Sequence, residues 1–211
     1  MTAEYFCVSC RTPFLNPFPL DEQGRCRLCR AGARGFDAAY CYGSYEGVLR
    51  ELIHLFKYGG MKPLSKTLAA LLASALPRDR QFDLVVPMPL YWRRQWQRGF
   101  NQSELLARAT ARRCGIPMRK AVRRTRATAT QAGLSNARRK NVEGAFQVNK
   151  PGMVEGRRVL LIDDVMTTGA TANACALALK RAGAKSVALL ALARVDRRLV
   201  EPANQIAAGV S

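Results

Sequence analysis

A chain of 211 residues with 48% hydrophobic content can bury a real core, and it fits one domain of ordinary size plus a small module; a disordered or fibrous protein is excluded. Its 34 Lys and Arg against 15 Asp and Glu leave a net charge of +19, which speaks to polyanionic partners and solubility rather than to fold. No run is apolar for long enough to cross a bilayer and Met1 to Cys10 carries no leader pattern, so no membrane insertion and a cytoplasmic location are expected.

Residues 1–36 are rich in Cys, Pro, Gly and Arg and lack helical periodicity, which predicts a small module held by something other than a core. The spacing Cys7-x2-Cys10-x15-Cys26-x2-Cys29 supplies that something, since two CxxC knuckles so placed read as a four-cysteine zinc ribbon. Four thiolates would close a tetrahedral shell and make the metal structural. A redox CxxC or scattered buried cysteines are the alternatives, but a single redox pair leaves the second pair unexplained. Cys41, Cys114 and Cys175 read as core thiols.

Residues 37–200 read as an α/β domain. Val48, Leu49, Leu52, Ile53, Leu55 and Phe56 recur at helical spacing up to Gly59 and Gly60, and a second helix covers Leu64 to Leu76. Phe82 to Val86 is a short buried strand stopped by Pro87 and Pro89, and Ser103 to Cys114 a helix with Gly115 near its end. Residues 124–141 are small, polar and basic, the composition of a long loop. The strand Arg158 to Ile162, the helix Thr171 to Arg181 and the strand Lys185 to Leu192 then form a βαβ unit, which implies a parallel sheet flanked by helices. Residues 201–211 read as a flexible tail.

Chemistry concentrates in Val159 to Thr171, VLLIDDVMTTGAT, where an apolar strand ends in two carboxylates and a loop of small and hydroxyl residues opens a helix. Ligands of open α/β sheets lie beyond the carboxyl ends of the strands, and a helix start offers N–H groups and a positive dipole end to a phosphate. Thr167, Thr168 and Thr171 add hydroxyls, Gly169 admits the backbone close to a ligand, and the lack of a Walker lysine argues against an ATP-binding loop. Asp163 and Asp164 suit ribose hydroxyls and a hydrated Mg²⁺ better than phosphate. A lone acid pair capping a helix is the bland alternative, and the full pattern argues against it.

Residues 91–140 hold fourteen basic side chains and one acid, Glu104. Trp92, Trp96 and Phe100 interleave with Arg93, Arg94 and Arg98, a mix able to stack on and neutralise single-stranded DNA; a solvated basic face and aromatic anchors against the core are the alternatives. The only histidine, His54, lies on the first helix and reads as packing rather than as a ligand, which excludes a histidine-based triad.

The thirteen-residue stretch resembles the phosphoribosyl diphosphate signature of type I phosphoribosyltransferases. FKYGG (Phe56 to Gly60), VPMPL (Val86 to Leu90), RGFNQ (Arg98 to Gln102), the spacing Thr128, Gln131, Leu134, Arg138, Asn141, and GAF (Gly144 to Phe146) are similar to the ComF family over nearly the whole chain. That resemblance implies a type I phosphoribosyltransferase-like fold behind an N-terminal zinc ribbon, with phosphoribosyl diphosphate and Mg²⁺ as ligands. It implies phosphoribosyl binding by Asp163, Asp164, Val165, Met166, Thr167, Thr168, Gly169, Ala170 and Thr171, diphosphate binding near Met88, Pro89 and Arg138, and zinc on Cys7, Cys10, Cys26 and Cys29. The loop 124–141 is similar to the one that closes over the ligand in glutamine amidophosphoribosyltransferases. Two functions are expected from this: phosphoribosyl transfer to an acceptor with release of diphosphate, alongside DNA uptake in natural transformation with competence proteins as partners; or a non-enzymatic factor that senses phosphoribosyl diphosphate and processes single-stranded DNA.

Overall fold

The computed structural model describes residues 5–9, 13–14, 17, 20–30, 35–126 and 144–195. Two short antiparallel strands, β1 (Tyr5–Phe6) and β2 (Pro13–Phe14), and one helical turn, α1 (Arg27–Arg30), belong to the cysteine module. There follow β3 (Ala38–Ser44), α2 (Gly47–Tyr58), α3 (Leu64–Ser74), β4 (Leu84–Pro87), α4 (Trp92–Arg98) and α5 (Gln102–Cys114). The chain continues with β5 (Val122–Arg124), β6 (Phe146–Val148), β7 (Arg158–Met166), α6 (Ala170–Arg181) and β8 (Ser186–Arg194). The expected tail 201–211, Cys10, Arg138 and the Thr128 to Asn141 spacing lie outside the described residues.

Four strands form one parallel sheet in the order β3-β8-β7-β4, with β5 and β6 pairing separately as an antiparallel hairpin. The strands are apolar on both faces because both are covered. Leu84, Val86, Val159, Leu161, Val187 and Leu189 face one cluster, which α6 and the hairpin complete through Cys175, Leu179, Val122 and Phe146. Val85, Leu160, Ile162 and Leu190 face another, filled by Ile53, Phe56, Leu68, Leu72 and Leu106 from α2, α3 and α5. Each side chain so buried is worth about 1.5 to 3 kcal/mol of transfer free energy. Cys7, Phe14, Cys26, Cys29 and Phe36 belong to the first cluster, so the cysteine module shares the core of the sheet face it covers.

The connections create a crevice. From β4 the chain runs through α4 and α5 on the second face and returns outside β4, where Met118 bridges to Val85; from β7 it runs through α6 on the first face and returns inward to β8. The two chains therefore part in opposite directions between β4 and β7, which is where ligands of open α/β sheets bind.

Several elements differ from expectation. β7 runs on past Ile162 to Met166, because Asp163, Val165 and Met166 keep partners Ala191, Ala193 and Arg194 on β8; the acid pair thus lies within the strand. β3, in which two tyrosines stand among small residues and one glycine, becomes a strand through its pairing with β8. Of the expected core thiols Cys175 is fully buried, whereas Cys41 and Cys114 are partly exposed.

Candidate active site

At the crevice, a cleft of about 180 Å³ is lined by Lys57, Met88, Pro89, Asn101, Gln102, Ser103, Arg124, Asp163, Asp164, Val165, Met166, Thr167, Gly169 and Thr171, among others. One wall is the end of β7. Asp164 N–H and Ser103 Oγ–H both donate to Asp163 Oδ1, at 2.9 and 3.0 Å, and Lys57 Nζ lies 3.0 Å from Asp164 Oδ1 with both side chains mostly buried. Burial pushes the Asp163 carboxyl above the usual carboxylate range, and the charge of Asp164 pushes the same way; the Asp164 N–H, Lys57 and the Ser103 hydroxyl oppose them. The pair is thus a concentrated set of acceptors held in place by one ammonium, one hydroxyl and one backbone N–H.

A second wall is the start of α6. Gly169 takes the left-handed conformation with φ of 74°, which a side chain would strain, and turns the chain from strand to helix. Thr168 Oγ1 accepts the Ala170 N–H at 3.4 Å, a long bond within the loop, and Asn173 N–H closes the first turn on the Gly169 carbonyl at 2.8 Å. Thr171 and Ala172, which line the cleft, lie in the first turn, where backbone N–H groups have no partner one turn back. Of the phosphoribosyl residues expected from sequence, Asp163 to Thr167, Gly169 and Thr171 line the cleft, while Thr168 and Ala170 shape the loop behind it.

The floor is made by the turn after β4. Met88 N–H donates to the Ile162 carbonyl at 2.8 Å, and Asn101 ties the turn to α5, with Oδ1 accepting the Ser103 N–H as a helix cap and Nδ2 donating to the Met88 carbonyl at 3.1 Å. Gln102 Nε2 reaches the Lys57 carbonyl at 3.4 Å. The segments FKYGG, VPMPL, RGFNQ and LIDDV, scattered over more than a hundred residues of sequence, are therefore bonded to one another around one cleft.

That convergence accords with the comparisons. Residues 101–208 match the model of the phosphoribosyl transferase domain. Competence protein F of Haemophilus influenzae is 36% identical over 178 residues, covering 80% of this chain and 78% of that protein. The chain belongs to the ComF family. A second relative, DNA utilization protein YhgH of Escherichia coli strain K12, is 39% identical over 159 residues, covering 71% of this chain and 69% of its own. Among solved structures, glutamine phosphoribosylpyrophosphate amidotransferase from B. subtilis aligns at 23% identity and a TM-score of 0.46, covering 65% of this chain and 30% of that one.

The site of this ComF-family chain contains groups to which sequence reasoning gave no role, Lys57, Asn101, Gln102 and Ser103, together with Arg124, the first residue of the loop 124–141. Lys57, Asn101 and Gln102 sit in the segments that carried the ComF resemblance, and Ser103 directly follows one; nothing in the sequence says that Lys57 meets Asp164 or Ser103 meets Asp163.

Outside the cleft, the sulfurs of Cys7, Cys26 and Cys29 lie within 4.8 Å of one another and are buried, and the Cys26 N–H donates to Cys7 Sγ at 3.2 Å. Clustered sulfurs with an N–H aimed at one of them fit a thiolate metal site. Trp92 and Trp96 on α4 are 60% and 86% exposed, so they do not anchor the helix; the Arg93 guanidinium lies 5.2 Å from the Trp92 ring. Phe100 packs on Phe56, and His54 is exposed against Tyr58. Arg108, Arg112, Arg119 and Lys120 line a second, open depression along α5. Among the described residues no helix is long and apolar enough to cross a membrane.

Proposed function

We propose that the cleft binds the ribose 5-phosphate of phosphoribosyl diphosphate, with Mg²⁺, and presents its C1′ carbon for displacement of diphosphate by an acceptor. The observation that carries this reading is that an acidic wall and a helix start line one cleft. Ribose hydroxyls donate to Asp163 and Asp164, and the 5-phosphate accepts from the Thr167 to Thr171 backbone and hydroxyls. Diphosphate lies along Met88 and Pro89 with Arg138 as its cation, and Lys57 and Arg124 add positive charge from the walls. Mg²⁺, when bound, supplies further neutralisation of the leaving group. In the transfer the bond from C1′ to diphosphate oxygen breaks as the acceptor's lone pair bonds to C1′, and the charge accumulating on the departing oxygens is what the cations stabilise.

Calorimetry with phosphoribosyl diphosphate and Mg²⁺ tests the reading. Wild type binds, and Asp163→Asn and Asp164→Asn each lose about 1.5 to 3 kcal/mol, the range for a hydrogen bond to a charged group. Unchanged binding in both variants would sink the assignment. Diphosphate release on adding a metabolite extract then separates a transferase from a sensor that only binds.

The cysteine module supports a structural zinc on Cys7, Cys10, Cys26 and Cys29, and metal analysis of the purified protein should give one zinc per chain. A second reading, favoured by the exposed Trp92 and Trp96 on α4, is single-stranded DNA held on the basic surface, in line with a cytoplasmic role in DNA uptake among competence proteins.

A further inference from the structure

The cysteine module reaches both ends of the phosphate loop, directly at one and through Arg194 of β8 at the other. At the far end, the Gly35 N–H donates to Asn173 Oδ1 at 2.6 Å, and it is Asn173 whose own N–H closes the first turn of α6 on Gly169. The approach is close enough that a Cβ on Gly35 would stand 2.1 Å from the Asn173 carbonyl oxygen, so only glycine fits. At the near end, the Arg194 guanidinium lies 3.9 Å from the centre of the Phe14 ring in β2, and its Nη1 reaches Met166 Sδ at 3.8 Å. Met166 is the last residue of β7, and its carbonyl accepts the Val195 N–H at 2.9 Å. Thr167 to Ala172, the loop and first turn, hang between these two anchors.

The loop depends on such support because its own sequence provides little. Gly169, at the cap position of α6, makes no side-chain cap bond, and the Thr168 hydroxyl bond to Ala170 is long. A ligand held by backbone N–H groups needs them fixed before it arrives, since their ordering otherwise subtracts from affinity.

We propose that the Gly35–Asn173 and Phe14–Arg194–Met166 contacts position the phosphate loop, making the cysteine module the rear support of the ligand site and coupling closure of the module to occupancy of the cleft. This rests on the phosphoribosyl reading above. Asn173 is a positioning residue: it acts through the first turn of α6. Coupling is reciprocal, so whatever factor the closed module contributes to ligand affinity, the ligand returns to closure of the module.

The test measures both directions. Alkylation of Cys7, Cys26 and Cys29, mapped by mass spectrometry, reports opening of the module. In wild type, saturating phosphoribosyl diphosphate with Mg²⁺ should slow it roughly threefold to tenfold, the range set by one buried hydrogen bond. Asn173→Ala should weaken the ligand by a similar factor and abolish the protection. Lys180→Ala, which breaks the ion pair with Asp37 at the other end of α6, should keep both. If the two variants behave alike, in proportion to their lost stability, the contact is merely structural and the proposal is overturned. Should Asn173→Ala fail to fold, the wild-type measurement decides: ligand bound with no slowing overturns the coupling alone. No ligand binding to wild type overturns the phosphoribosyl reading and this inference with it.

Discussion

Two helices leave the carboxyl ends of neighbouring strands in this molecule, and they are packed differently. α6, after β7, buries Ala172, Cys175, Ala176 and Leu179 against the sheet, and its first turn forms a wall of the cleft. α4, after β4, is seven residues long, makes no side-chain cap bond and turns Trp92 and Trp96 to solvent. Where a ligand is held by backbone, the helix has to be fixed by packing. Where a partner is met by side chains, the helix can stay shallow, because an aromatic ring that is buried in the core has no face left for a base.

The largest effect that would break this contrast is on stability. Leu179→Ala in α6 should lower the unfolding free energy by about 2 to 5 kcal/mol, as large-to-small changes in packed cores do. Trp96→Ala in α4 should change it by no more than about 0.5 kcal/mol, because an exposed side chain loses little on folding. Denaturant titration of the two variants checks both, and similar losses would mean that α4 is packed after all.

The next effect is on partners. If α4 is a stacking surface, Trp92→Ala and Trp96→Ala should each weaken a single-stranded oligonucleotide by about 1 to 3 kcal/mol while leaving phosphoribosyl diphosphate binding unchanged. Affinity for the strand should fall with salt, each neutralised phosphate adding about 0.7 to the logarithmic slope. Fluorescence anisotropy at several salt concentrations measures both terms, and equal affinity in wild type and both variants would leave the basic block a solvated face.

The last effect sharpens the acidic wall. Because burial and Asp164 raise the Asp163 carboxyl above its unfolded value of about 3.9, the folded chain keeps a proton that the unfolded chain has released. Stability contributed by that proton is complete below the unfolded value and is lost as pH rises through the folded one. Asp163→Asn should therefore lose less stability than wild type between about pH 4 and pH 7. Ligand affinity in wild type should move the other way, growing as the carboxylate becomes an acceptor.

Periodicity and spacing were enough to read the helices α2, α3, α5 and α6 and the strands β4, β7 and β8, and to single out the stretch from Asp163 to Thr171, most of which lines the cleft, because each is a local pattern whose physics is complete within a few neighbouring residues. The same holds for the paired CxxC spacing, three of whose cysteines meet in the fold. Only the tertiary structure decided the rest. β3 is a strand because β8 lies beside it, and β7 runs through its acid pair because Ala191 and Ala193 continue the ladder. Lys57 meets Asp164 and Ser103 meets Asp163 because α2 and α5 deliver them to the same end of β7. Gly35 meets Asn173 across 138 residues of sequence. A hydrogen bond between such distant positions leaves no trace in local composition, since the chain's own geometry brings the partners together only after the sheet has formed.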